Sequence, residues 1–380
     1  MTRYPDTADQ PPLAKATHIP VLDHLRGIAA ASVCLYHFTC GNRTFLPSDD
    51  PLKQLASFGW LGVESFFVIS GFVIPYSLHL RSYRLSNGAD FFIRRLKRLE
   101  PPYLSCILLI IVLHYLSSLS ASFRGQPLEL SWQRLAAHLG YLNAILEFGW
   151  LNPVFWTLAI EFQYYIFMAI AYPLLAHEKA PVRAASVLAI ALFGFVGGRN
   201  SSLLPHWLPL FAIGMLTFQF YVGKLSGLWY TLLLCLISFI SFWIVGSQQT
   251  AVGLATAVTM VGVASREVTR FLRPVAFLGT ISYSLYLLHV PIGGRVINLA
   301  SRLPESPAIR YSAIAAAFGT SIAAAFVFWF FIERRSQLWA KSSGIFGESW
   351  RSQKTLQKGQ PDGEETSEIE PECAPLGSEN

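Results

Sequence analysis

The stretch "IPVLDHLRGIAAASVCLYHFTCG", residues 19–41, decides the fold: it is apolar enough to cross a membrane, yet it carries Arg26 and His37. An α-helix turns about 100° per residue, so the eleven steps between the two return to within roughly 20° of one face, about 16 Å further along the axis. A charged side chain at mid-membrane costs about 2.5–3.5 kcal/mol on insertion scales, so each one needs a partner or a task. Asp23 lies one turn before Arg26 on nearly the same face, which gives Arg26 a structural reading as half of an ion pair. Its functional reading is a receptor for an anion at the cytoplasmic end of the span.

The rest of the chain agrees with a membrane setting. Of its 380 residues, 53% are hydrophobic, 14% aromatic and only 14% charged, against about 25% charged in ordinary soluble domains. These values specify an all-α integral membrane protein. The net charge of +6 is no argument for nucleic acid, because in such a protein the placement of charges carries more information than their sum. Five cysteines (Cys34, Cys40, Cys106, Cys235 and Cys373) form no CxxC pair or metal-ligand spacing, so neither a disulfide frame nor a metal site is expected. The N-terminus is polar and proline-rich, and no small-residue cleavage site follows the first apolar run. That run therefore reads as a retained span rather than a signal peptide.

A span needs about 20 mostly apolar residues, and ten stretches qualify: 20–39, 57–79, 101–119, 153–175, 182–198, 203–221, 226–245, 249–265, 275–296 and 308–332. The weakest, "TAVGLATAVTMVGVA", is short and rich in small residues, which suits a helix packed among others. With the N-terminus cytoplasmic, the inside segments hold 20 Lys and Arg. The outside segments hold eight: Arg43, Lys53, Arg124, Arg134, Arg199, Arg295, Arg302 and Arg310. That bias puts both termini in the cytoplasm. The expected organisation is a polar segment at 1–18, a ten-helix membrane domain at 19–335 and a polar, acidic, disordered cytoplasmic tail at 336–380.

Counting residues along the spans brings His37, Glu64, Glu161 and His289 to a similar depth in the outer half, from four different helices. Any one of them alone reads equally well as a hydrogen bond between helices. Two carboxylates and two imidazoles at one level are the equipment of acid–base catalysis or of proton-coupled transport. On the cytoplasmic side, "DFFIRRLKRLEPPYL" sets Arg94, Arg95, Lys97 and Arg98 before a proline-interrupted entry to the third span. Such a run reads first as a topology signal or a lipid-headgroup contact, and second as a site for a phosphorylated ligand.

Together these blocks resemble the membrane acyltransferase-3 family of integral-membrane O-acyltransferases. "LDHLRGIAAASVCLYHF" is similar to the family's first-helix signature, with Arg26 and His37 at its Arg and His. "GWLGVESFFVISGFVI" resembles the second-helix block, with Glu64 and Ser70-Gly71. "FFIRRLKRLEPPYL" resembles the basic loop, with Arg95 and Arg98 as its Arg-x-x-Arg pair. "FWTLAIEFQYYIF" carries Trp156 and Glu161, and "LGTISYSLYLLHVPI" carries Tyr283, Tyr286 and His289. The similarity runs over about residues 18–335 in the family's order. His24 departs from the small residue common there.

The resemblance implies a cytoplasmic acyl-CoA donor, usually acetyl-CoA, and a hydroxyl acceptor on an envelope or exported carbohydrate, with no metal. It casts Arg26, Arg95 and Arg98 as holders of the CoA phosphates and His37 as a general base or an acyl-carrying nucleophile. Glu161 assists His37, and Glu64, Trp156, Tyr283, Tyr286 and His289 are candidates for the acceptor site. The expected setting is the inner cell membrane, beside the bilayer and the export machinery of a polysaccharide. Some relatives continue into an extracytoplasmic hydrolase-like domain; without one, transfer is expected to finish within the membrane domain. Two alternatives stand: a proton-coupled exporter of a polar solute, and acylation of a secreted small glycoside such as a macrolide. A non-enzymatic export scaffold would instead lose assembly, rather than turnover, when Arg26 or His37 is replaced.

Overall fold

The computed structural model describes residues 19–121, 123, 125–198, 200–263 and 273–342. The expectations for residues 1–18, Arg124, Arg199, the connection at 264–272 and the tail beyond 342 lie outside these described residues. Among them the chain is helical throughout, without a strand. In order, the helices are α1 (Pro20–Cys40), α2 (Pro51–Ala56), α3 (Gly62–His79), α4 (Gly88–Ser118), α5 (Trp132–Leu139), α6 (Phe155–Leu175), α7 (Ala180–Gly197) and α8 (Leu204–Tyr221). They continue as α9 (Gly227–Ile244), α10 (Ser247–Val263), α11 (Arg273–Thr280), α12 (Ser282–Leu288), α13 (Gly294–Ala300), α14 (Pro307–Phe328) and α15 (Arg334–Ser342).

Helices thus occupy each of the ten apolar stretches. Six are long and apolar enough to cross a membrane: Pro51–His79, Leu85–Ser118, Phe155–Leu175, Ala180–Gly197, Gly227–Ile244 and Pro307–Ser342. A seventh is added if α11 and the helix over Ser282–Ala300, bent by 66° from it, form one broken span. α1, α8 and α10 are not among them. For α8 the reason is visible in the packing: Leu204 and every residue from His206 to Gln219 are buried. A helix covered by protein all round needs no lipid-grade surface of its own.

Helix crossings are close where small residues allow it. At Gly71 of α3 an added Cβ would strike the backbone of Phe211, and at Gly214 of α8 the backbone of Val68. α1 crosses α11 in the same way, Gly27 against Val275 and Gly279 against Asp23. Close backbone approach through glycine is a general means of joining helices in lipid, where the hydrophobic effect gives no drive for association.

Two sequence expectations are corrected here. The basic segment before the third span is not a loop but the first turns of α4, one helix of 31 residues that runs straight through Pro101 and Pro102. A proline inside a helix withholds the N–H that would bond the carbonyl four residues back, so the carbonyls of Lys97 and Arg98 lose their intrahelical donors. The Ser336 hydroxyl lies 2.5 Å from the Lys97 oxygen and 2.9 Å from that of Arg98. Ser336 is itself buried, on α15. The second correction follows: residues 336–342 lie in α15, whose buried Ser336 is held by the carbonyls that the two prolines release.

Candidate active site

The Arg26 end of α1 gathers four sequence-predicted residues. Arg26 faces the charges of Arg98, Asp23 and Glu161, and Arg95 faces those of Arg98 and Glu161. Arg95 is held on three sides. Its Nη2 donates to Ser77 Oγ of α3 at 2.7 Å, and its guanidinium lies 5.4 Å from the ring centres of both Phe91 and Tyr165. Tyr165, one turn after Glu161 on α6, donates its hydroxyl to Glu161 Oε1 at 2.5 Å, in the short range of charge-assisted bonds. Arg26, Arg95 and Arg98 gather around Glu161, with Asp23 beside Arg26 and Glu333 near Arg98. Arginine forks of this kind match phosphate oxygens, and cations so arranged attract an anion.

Tyr283 belongs to this end as well: its hydroxyl donates to the Leu99 carbonyl of α4 at 3.1 Å. Glu333, which follows α14, accepts the Ser284 hydroxyl at 2.5 Å and the Ser284 backbone N–H at 3.2 Å, and takes a third bond from Gln337 at 2.7 Å. The start of α15 is thereby tied to α12 through Glu333 and to α4 through Ser336.

At the other end of α1, the rings of His37 and His289 meet at a centroid distance of 5.1 Å and an angle of 52°. The chain over His289–Gly293 makes a π-helical turn, a wide turn that recurs at functional sites. His289 is wholly buried. Its Nδ1 lies 3.2 Å from the Leu285 carbonyl, and its Nε2 has no hydrogen-bond partner among the described residues. Tyr286, one turn earlier, stands 5.8 Å from His289 ring to ring, and its hydroxyl lies 2.9 Å from Thr157 Oγ1 of α6. It also lies near Glu64 and Glu161. Glu64 sits in the first turn of α3, where unpaired backbone N–H groups favour an anion. It is 1% exposed, and its Oε2 is unpartnered.

Beyond His37 opens a cavity of about 820 Å³, within the usual size of ligand pockets. His37, Asn42, His114, Asn152, Arg295 and Asn298 are among its polar lining. Of the ten site residues read from sequence, only His37 lines it. Trp156 packs instead against Trp207 at 5.5 Å and Phe67 at 6.3 Å, within the aromatic core. No hydrogen bond joins Glu161 to His37 among the described residues, and Glu161 has its hydrogen bond from Tyr165. Nor, among these residues, do three His, Cys, Asp or Glu side chains group as a metal site would require.

A bundle of helices with an imidazole pair, His289 buried and His37 partly exposed, between an arginine cluster and an open polar cavity defines a membrane protein with a two-ended internal site. A family model described as "Acyltransferase domain" matches residues 19–333, and the chain belongs to that family. It is similar to the O-acetyltransferase OatA of Staphylococcus aureus, in strain NCTC 8325 / PS 47 and in strain COL alike. Each pairing is 26% identical over 324 residues, which is 72% of this chain and 50% of the relative. The chain thus spans about half the length of these curated relatives. No solved structure matches it.

Several residues of the site were not singled out in the sequence. Tyr165 stands one turn after Glu161, a spacing that does signal a shared helix face. Ser77, Ser336 and Glu333 carry no local signal, because their partners come from distant segments. Asn152 is buried with its amide donating to the Leu287 carbonyl at 3.0 Å; it lies in a connection rather than a span.

Proposed function

We propose that this protein is an integral-membrane O-acyltransferase that moves an acyl group, most simply acetyl, from acyl-CoA in the cytoplasm to a hydroxyl of an envelope or exported carbohydrate. The observation that carries the reading is the position of His37: it lines the open cavity, touches the buried imidazole of His289, and stands on the same helix stripe as an arginine in the cationic cluster. In this reading ten spans cross the inner membrane between residues 19 and 335, with both chain ends in the cytoplasm. The names of the relatives support acetyl as the group transferred.

Arg26, Arg95 and Arg98 hold the phosphates of the donor, and Glu161 with Tyr165 sets the spacing of those guanidiniums. Glu161 is therefore assigned to the donor end, where its partners are, rather than to His37. The acceptor hydroxyl enters from the cavity and gives its proton to His37. Its oxygen bonds to the thioester carbonyl carbon, the C–S bond breaks, and the proton passes to the departing thiolate. His289, fixed through Leu285, holds the His37 ring from behind, and Tyr286 and Glu64 complete the buried polar group around the pair.

The test is transfer from radiolabelled acetyl-CoA in membranes carrying wild type, His37→Gln or Arg95→Ala protein at matched abundance, with envelope glycans as acceptors. Label in the glycan with wild type, and its loss in both variants, is the expected result. Equal label in all three would overturn the reading. Movement of a polar solute without consumption of acetyl-CoA would replace it with transport.

A further inference from the structure

Among the described residues, several cations at the His37 end of the molecule have structural employment. Lys53 donates to the carbonyls of Arg43 and Leu46. Arg134 spends its fork on the carbonyls of Gly149, Glu129 and Trp150. Arg310 lies 3.7 Å from Glu305 and over the Phe45 ring. Arg295 is different. Its single hydrogen bond among the described residues runs from Nη1 to the Pro291 carbonyl at 2.8 Å, and the half-buried side chain lines the cavity that holds His37. Arg302 lines the same cavity.

No Asp or Glu is among the described residues of that lining; its other polar members are Asn, Ser and His side chains. A concave site with cations and no carboxylate focuses positive potential and concentrates anions. Asn and Ser alone would suffice for a neutral sugar. The half-buried Arg295 guanidinium thus stands on the cavity wall with donors that no protein group among the described residues takes up.

We infer that the acceptor is a saccharide bearing an anionic group, a carboxylate or a phosphate ester, which the Arg295 fork grips while a neighbouring hydroxyl faces His37. The inference rests on the acyltransferase reading and adds the chemical class of its acceptor. A carboxylate or phosphate would be engaged by paired N–H donors, which fixes its orientation as well as its presence.

The experiment uses the full chain in membranes with labelled acetyl-CoA. Envelope glycans from the host are first divided by anion exchange into neutral and retained fractions, and each is supplied at equal hexose concentration. Wild type should place about tenfold or more label in the retained fraction, the discrimination expected of one hydrogen-bonded charge pair. Arg295→Gln should lower that ratio toward unity, Arg295→Lys should keep part of it, and raising the salt should erode it. Phosphatase treatment of the retained fraction abolishes the preference if the group is a phosphate ester. Carbodiimide coupling followed by reduction abolishes it if the group is a carboxylate. Label chiefly in the neutral fraction, or a ratio unchanged in Arg295→Gln protein of wild-type abundance, would overturn the inference and leave the acyltransferase intact. Label in neither fraction would sink the acyltransferase reading itself.

Discussion

Replacing Tyr165 by Phe removes one atom and asks which end of the molecule Glu161 serves. The deleted hydroxyl donates to Glu161 Oε1 at 2.5 Å, while the ring that remains still lies under the Arg95 guanidinium. A hydrogen bond to a charged acceptor contributes about 1.5–3 kcal/mol net. Glu161 is only partly buried, so we take the lower limit, about 1.5 kcal/mol. Loosening the carboxylate that spaces three arginines should then weaken donor binding about tenfold. The assay is equilibrium binding of a non-hydrolysable acetyl-CoA analogue to solubilised protein, alongside turnover at saturating donor. Expected is a roughly tenfold rise in Kd with kcat nearly unchanged. An unchanged Kd with a much lower kcat would refute the reasoning and return Glu161 to the service of His37.

His37→Gln should cut transfer by about 10²- to 10⁴-fold, the usual weight of a general base, with donor affinity retained; acid-quenched protein should carry no acetyl label, and label at His37 would mean covalent carriage instead. Ser336→Ala leaves the two carbonyls released by Pro101 and Pro102 without their hydroxyl donor, at a cost of about 1–3 kcal/mol, read as a lower thermal midpoint together with weaker donor binding. His138, on the short helix α5, is wholly buried against Trp150 and Phe155 and hydrogen-bonded to Tyr103 at 2.8 Å. Burial, with Arg134 nearby, pulls its pKa down from 6.5 to about 4. The unfolded chain then binds the proton first, so stability falls as pH drops from about 6.5 to about 4. The loss is about 3 kcal/mol over the window at 1.36 kcal/mol per unit. His138→Gln should flatten that part of the midpoint-against-pH curve. Gly71→Val should force α3 off the backbone of Phe211, an overpacking cost of about 1–3 kcal/mol, seen as reduced abundance of folded protein.

What the sequence determined by itself is everything that depends on local periodicity. A run of apolar residues makes a helix of known rise, so residues 19–41 alone put Arg26 and His37 on one stripe, and the order of motifs along the chain sufficed to indicate the family. Composition and charge bias likewise carry the membrane setting, because they sum over residues and need no contacts. Azimuth and partner choice are another matter. Counting residues puts Glu161 level with His37, but packing sets it among the arginines at the Arg26 end, and His37 meets His289 instead. Pro101 and Pro102 look like a helix break in one dimension, yet Ser336, more than two hundred residues later, supplies the bonds they withhold and the helix continues. The cavity around His37 and the exposure of Arg295 to it exist only once α1, α4 and α13 stand together, since an enclosed space is a property of neighbours and no single segment encodes it.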